Sequence, residues 1–406
     1  MNTVETTVET TVETTARSGT SWWGTVRESL SGVSHDYTSG SIPKAVLLLS
    51  IPMILEMAME SLFGILDAFW VGRLGSDSVA AVGVTESLIT IVFAVALGIS
   101  MSTTAVVARR IGEGDPDAAA DAAVQSIFLG ILMSLPVAVA GFCYADRLLA
   151  LMGAPEGVVR VGTGYATWML ASNVTIMLIF LINAIFRGAG DAFLAMKALW
   201  LANAVNLVLD PLLIFGLGPF PALGLTGGAI GTLVGRGVGV LYQIHVLARG
   251  RGRIVVRRAH LRPNWALIWQ LVRLSVGGTL QFLIATSSWI GLVRILTPFG
   301  SAALAGYTIA LRIIIVAILP AWGVSNAAAT LVGQNLGAGK PERAERSVWL
   351  TGLYNTVFLF AVMVAFLVWG DAMVSVFTND PAARRIGADC LRIVSYGYVF
   401  YAWGMV

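Results

Sequence analysis

The sequence predicts an all-α polytopic membrane protein assembled from two copies of one helical pattern. Three observations lead there. The 406-residue chain is 57% hydrophobic and only 12% charged, whereas soluble domains run near ~25% charged. Apolar runs of about 20 residues or more, long enough to cross a hydrocarbon core as a helix, recur along it, and the short alternating strands of a transmembrane barrel do not. Finally, residues 97–116, LGISMSTTAVVARRIGEGDP, reappear as residues 322–341, WGVSNAAATLVGQNLGAGKP.

Taken in order, residues 1–41 read as a tail. Within it, residues 3–15 repeat Thr-Val-Glu-Thr, a low-complexity stretch with nothing to bury and hence disordered. It lacks the basic start and apolar core of a signal peptide. Trp22-Trp23 suit the headgroup interface. Ten apolar spans follow, at 42–72, 78–107, 121–143, 162–186, 192–216, 227–247, 266–296, 303–333, 347–369 and 386–406. Spans 1–6 form a first lobe, residues 42–248; residues 249–265 are a linker; residues 266–406 form a second lobe with four spans.

Basic residues gather in the even-numbered connections: Arg109 and Arg110, Arg187 and Lys197, the run Arg249 to Arg262, then Lys340, Arg343 and Arg346. The positive-inside rule puts these connections and the N-terminus in the cytoplasm. The net charge of +3 is then a topology signal and not a sign of nucleic-acid binding. The Arg249–Arg262 run reads as a half-to-half linker, with lipid headgroups as its alternative ligand. Cys143, Cys390 and the three histidines His35, His245 and His260 are scattered, which gives no disulfide framework and no transition-metal motif. No Ser-centred motif or phosphate loop marks an enzyme, and no cofactor is implied.

The repeat keeps one register. Gly98 and Gly323, Gly112 and Gly337, Gly114 and Gly339, and Pro116 and Pro341 all stand 225 positions apart. Gly75-Ser76 and Gly300-Ser301, Ser50 and Ser275, and Gly162 and Gly387 obey the same offset. Six spans separate the copies, so both enter the membrane with one polarity. That describes a parallel repeat about an axis along the membrane normal, with a site between the halves. By this comparison the second copy is expected to run roughly 65 residues past Val406, so the second lobe reads as truncated.

Span 1 carries Glu56, Glu60 and Asp67. At about 100° per residue these three acids lie within roughly 20° of a common helical face at the Glu56–Asp67 and Glu60–Asp67 spacings. Carboxylates at membrane depth are costly and mark functional sites. In span 5, Asn203, Asn206 and Asp210 share a face at i, i+3 and i+7. A coupling site needs a carboxylate whose charge is tolerable only with H⁺ or Na⁺ bound, and Asn and Thr oxygens supply neutral ligands beside it. Helices 1, 5 and 6 would have to converge. Blander readings stand beside this one. Asp67 could reach the outer interface, Asp210 could cap span 5 before Pro211, and Glu56 and Glu60 could be structural partners of Arg236 or other polar groups. Pro52 reads as a kink. Met57 and Phe63 suit either an adaptable substrate surface or lipid-facing packing.

Several pieces together resemble the multidrug and toxic compound extrusion (MATE) transporters. They are ILDAFWVGRLG at the end of span 1, Gly75-Ser76 with Ala80-Ala81, the Gly-x-Gly-x-Pro turn after span 2, and Arg187-Gly188-Ala189-Gly190-Asp191 after span 4. The resemblance covers residues 42–406. It implies two pseudo-symmetric six-helix bundles with a cleft between them. It also implies an antiporter, working as a monomer in the cytoplasmic (inner) membrane of a prokaryote, that exports small organic and often cationic compounds in exchange for H⁺ or Na⁺. The match is to the DinF-like and archaeal-type branch, in which Asp67, Asn206, Asp210 and Thr232 would hold the coupling ion, including Na⁺, and Pro52 would be the helix-1 hinge. Glu56, Glu60, Met57, Phe63, Asn183, Arg236 and Gln281 are candidates for lining the cleft. The NorM-like branch relies on acids in helices 7 and 10, and here spans 7–9 hold none and span 10 only Asp389. The alternatives are a lipid-linked oligosaccharide flippase, which needs a more cationic cleft, and a truncated membrane protein that does not transport.

Overall fold

Helices α1 (Trp22–Ser29), α2 (Ile42–Gly72), α3 (Ser76–Gly112), α4 (Pro116–Leu151), α5 (Glu156–Ala171), α6 (Asn173–Ala189), α7 (Ala192–Phe215) and α8 (Leu225–Arg249) carry the first half of the chain. After a short 3-10 turn, α9 (Trp265–Leu296), α10 (Ser301–Gly337), α11 (Pro341–Ser375), α12 (Pro381–Tyr396) and α13 (Tyr398–Met405) carry the second. This is a computed structural model, and it describes residues 22–33, 35–250, 252–378 and 380–406. The tail read at residues 3–15 lies outside them. Among the described residues, eight helices are long and apolar enough to cross a membrane, or nine if α5 and α6 count as one bent span.

The 225-residue register is a structural register. α3 shifted by 225 is α10 at both ends, and α5 shifted likewise is α12. The fourth apolar run is not one helix. It bends by 41° between α5 and α6, and Ser172 at the break corresponds to Gly397 between α12 and α13. Asn173 stabilises the first break: its Nδ2 donates to Leu170 O (2.7 Å), a carbonyl that a continuous helix would satisfy itself, and to Ser134 O on α4 (3.1 Å). The tenth run differs from a simple span in the same way. α12 carries Arg384, Arg385, Asp389 and Arg392 in sixteen residues, and the strongly apolar part is the short α13.

The Gly-x-Gly-x-Pro turn owes its pattern to three separate needs. Gly112 and Gly337 sit where α3 and α10 cross: a Cβ on Gly112 would fall on the Gln334 carbonyl, and one on Gly337 on the Arg109 carbonyl. Gly114 and Gly339 have φ of +75° and +68°, a region glycine adopts without a Cβ clash. Pro116 and Pro341 open α4 and α11, where a missing N–H costs nothing. The copies differ between glycine and proline. Asp115 accepts from the Ala118 N–H at 2.8 Å as an N-cap, while Lys340 makes no such bond.

The halves are interlaced. α2 packs along α10 and α7, and α9 packs along α3. Gly323 on α10 is pressed against the backbone of Met53 and Ile54, while Gly98 on α3 is pressed against Ser275 and Thr279. These crossings are related by the same register. Just before α2, residues 37–40 are held by both halves. The Tyr37 hydroxyl donates to Gly190 O (3.4 Å), Lys340 to Thr38 O (2.9 Å), and Arg343 to Gly40 O (2.8 Å) and Ser39 O (2.7 Å).

Candidate functional site

The polar interior of the first half is built on helix faces repeating every four residues. Gly227, Gly231, Gly235 and Gly239 form a stripe along α8 facing α7. Small residues at this spacing let membrane helices approach closely. A Cβ on Gly231 would fall on the Asp210 carboxylate, and one on Gly235 would meet the Ala202 carbonyl and Asn206. The stripe thus seats Asn206 and Asp210 against Thr232. Asn206 Nδ2 donates to Asp210 Oδ1 at 3.0 Å and to Thr232 Oγ1 at 3.1 Å. All three are buried, Asp210 at 1% exposure, because α7 continues through Pro211 to Phe215. Asn206 Oδ1 is buried and has no hydrogen-bond partner among the described residues.

Asp67 is half-buried near the end of α2. It lies within Coulombic reach of Arg236 on α8 and of Asp210. Tyr165 on α5, buried at 5% exposure, is in reach of Asp67, Asp210, Arg236 and Glu86. Tyr165 on α5 is thus within electrostatic range of three acids and a guanidinium carried by α2, α3, α7 and α8. Among the described residues, no group of three or more His, Cys, Asp or Glu could hold a metal ion. The oxygens that converge are instead carboxylate, amide and hydroxyl, a set suited to a hard monovalent cation or a proton.

The other two acids of α2 point elsewhere. Glu56 is 1% exposed and its Oε1 accepts from Asn183 Nδ2 and Arg187 Nη1, both at 2.9 Å. Gln243 on α8 donates to Asn183 Oδ1 at 2.6 Å. Glu60 accepts from Asn203 at 3.2 Å. The common face on the α2 wheel is thus shared out among α6, α7 and α8, and among the described residues the bonds of Glu56 and Glu60 go to Asn183, Arg187 and Asn203, not to Arg236. Glu56 and Asn183, candidates for a cleft wall, are enclosed in the interior. Gln281 is exposed on α9, remote in the packing from α7 and α8. Met57 and Phe63 are half-buried on α2. Arg187, counted in the sequence as a loop charge, is 6% exposed and belongs to the interior.

Sequence reasoning missed Tyr165, Gln243 and the burial of Arg187 against Glu56. Two signals could have found more. Asn183 and Arg187 stand at i, i+4, one helical face, and the glycine stripe of α8 runs opposite Asn206 and Asp210.

A doubled helical repeat, buried acids in one half and broken helices beside them define a transporter of the multi-pass membrane class. The MatE family model matches residues 52–212 and 279–406, and the chain belongs to that family, whose members are membrane transporters and not enzymes. A probable multidrug resistance protein NorM of Thermotoga maritima is 26% identical over 89% of this chain and 78% of its own length. An FAD transporter of Shewanella oneidensis is 26% identical over 86% and 77%. The solved outward-facing structure of a multidrug resistance MATE family transporter superposes with a TM-score of 0.84 at 28% identity, covering 91% of this chain and 82% of that one. With relatives of this kind, the chain is a prokaryotic multi-pass membrane protein.

Proposed function

We propose that this chain is an antiporter that exports amphipathic organic compounds, many of them cationic, in exchange for H⁺ or Na⁺. The observation that carries the reading is the convergence of Asn206, Asp210 and Thr232 on buried hydrogen bonds, with Asp67 in Coulombic reach of Asp210 and the Asn206 amide oxygen without a partner among the described residues. Asp67 and Asp210 take up the ion and release it. Asn206 and Thr232 supply neutral oxygens, and Arg236 competes with the ion for Asp67. Coupling through the first half alone fits the N-lobe branch of the family. The relatives named for multidrug resistance support organic substrates. The run from Arg249 to Arg262 supports an N-terminus and linker on the cytoplasmic side of the inner membrane, and we read the working unit as a monomer.

The test is efflux of ethidium from proteoliposomes under an imposed proton or sodium gradient. Gradient-driven efflux that collapses in Asp67→Asn is the expected result. Equal efflux with and without a gradient, or an Asp67→Asn protein that exports like the unaltered chain, would overturn the proposal.

A further inference from the structure

Glu56 is the α2 acid with the fullest set of partners, and those partners lead out of the first half. Its carboxylate is held by Arg187 and Asn183 on the last two turns of α6. The end of that helix leaves carbonyls without intrahelical donors. Two carbonyls at that end accept from α10: Thr330 Oγ1 donates to Arg187 O at 2.9 Å, beside the capping Gly190 N–H that donates to it at 2.9 Å, and Gln334 Nε2 donates to Gly188 O at 2.9 Å. Thr330 and Gln334 are 0% and 1% exposed. One residue, Arg187, therefore faces α2 through its side chain and α10 through its backbone.

The position of Glu56 on α2 gives this link a direction. Pro52 stands one turn earlier and leaves the Leu48 carbonyl without its helical donor, so α2 is weakest there. Glu56, Glu60 and Asp67 all lie on the far side of that weak point. A change at Asp67 that swings this part of α2 carries Glu56 with it. Separating Glu56 from Arg187 would strand two charges in the interior, so α6 follows α2 more readily than it lets go. The neutral hydrogen bonds from Thr330 and Gln334 are the weaker part of the line.

We propose that the Glu56–Arg187 pair is a positioning element that transmits movement of α2 to the α6–α10 contact, and so sets whether the two halves are sealed at this end. The inference rests on the export reading above, since it takes ion binding near Asp67 as the input. Glu56 and Arg187 touch neither ion nor substrate in this role; they act through α6. The link is one-sided: the register counterpart of Glu56 is Gln281, which is exposed on α9.

The experiment uses the full chain in proteoliposomes, with Cys143 and Cys390 replaced by serine and nitroxide labels on Ala248→Cys and Arg346→Cys. Both label positions are exposed and belong to opposite halves at the end where α6 meets α10. Pulsed electron resonance reads the distance between them, and ethidium efflux is read in parallel. Glu56→Gln removes the charge. The pair Thr330→Val with Gln334→Leu leaves the ion pair intact and cuts its link to α10. Each change is expected to shift the distance distribution to longer values and to lower efflux about tenfold. Combining them should do no more than the larger single effect, because both break one line. Additive effects, or a Glu56→Gln protein with unchanged distances, would overturn the proposal. Should Glu56→Gln fail to fold, Glu56→Asp keeps the charge but shortens its reach, and is expected to give a smaller shift of the same sign; no shift there counts equally against the idea. An unaltered chain that moves no ethidium but shows the non-additive distances removes export and keeps the transmission. Normal export with independent distances does the reverse.

Discussion

α2 and α9 hold the same place in the two halves, yet they live in different surroundings. α2 stands between α7 and α10 and carries three acids and, in its interior, Pro52. α9 packs along α3 and exposes Trp269, Leu280 and Leu292. The register pairs Asp67 with Leu292, Glu56 with Gln281, Glu60 with Ala285 and Pro52 with Gly277. Every ionisable group and the hinge of the first helix are thus replaced by uncharged residues in its counterpart, while Gly75, Gly112, Gly114 and Pro116 keep their counterparts Gly300, Gly337, Gly339 and Pro341. The duplication preserves what the backbone needs and lets the chemistry diverge. A close crossing or a positive φ is a geometric demand on both copies, whereas one ion site is enough to couple transport.

The sharpest way to break this contrast is at the acids. Asp67→Asn and Asp210→Asn are each expected to lower gradient-driven ethidium efflux on the order of a hundredfold, while Leu292→Asn changes it less than about twofold. A loss at Leu292 of the same size would mean that both halves carry ions. Next come the crossing glycines. Gly112→Ala and Gly337→Ala each force α3 and α10 apart and should cost about 1–3 kcal/mol by thermal unfolding in detergent; unequal costs would show that the two-fold crossing is less symmetric than the register implies. Pro52→Ala restores the missing N–H, and should slow efflux roughly fivefold with little loss of stability. Gly277→Ala, where a Cβ meets nothing within 4 Å, should leave efflux unchanged.

The smallest effect belongs to the segment that ties both halves together ahead of α2. Hydrogen bonds from Ser39 and from Thr38 hold the Asp36 carboxyl down at about 2, against an ordinary 3.8. A lowered value stabilises the fold above the ordinary one, and this contribution fades as pH falls from about 4 towards 2. Because Asp36 is exposed to solvent, the contribution is under ~1 kcal/mol. Asp36→Asn should therefore barely move the melting temperature at neutral pH and should flatten its dependence on pH in that acid window.

Much of this was legible in advance where the physical cause is local. The first span was read at 42–72 and is Ile42–Gly72, since its apolar length, Pro43 near the start and Gly72 at the end are all in the segment itself. The turns of the repeat were legible for the same reason. The break at Ser172 was not, because Ser172-Asn173 is only a short polar interruption of the run from 162 to 186, and the bend depends on Asn173 finding a carbonyl on α4.

The sequence by itself determined the class of protein, the two-copy plan, its 225-residue register and the confinement of the membrane acids to the first half. Tertiary structure decided which partner each acid meets. Periodicity placed Glu56, Glu60 and Asp67 on one face and stopped there, because a helical wheel records direction and not neighbour. Arg187 lies 131 positions from Glu56 and looks like a loop charge until α6 is laid against α2. Only packing brings it inside, and only packing sets its carbonyl before Thr330 of the other half. Local turns follow from the residues within them, while a buried ion pair follows from how separate helices fill the same space.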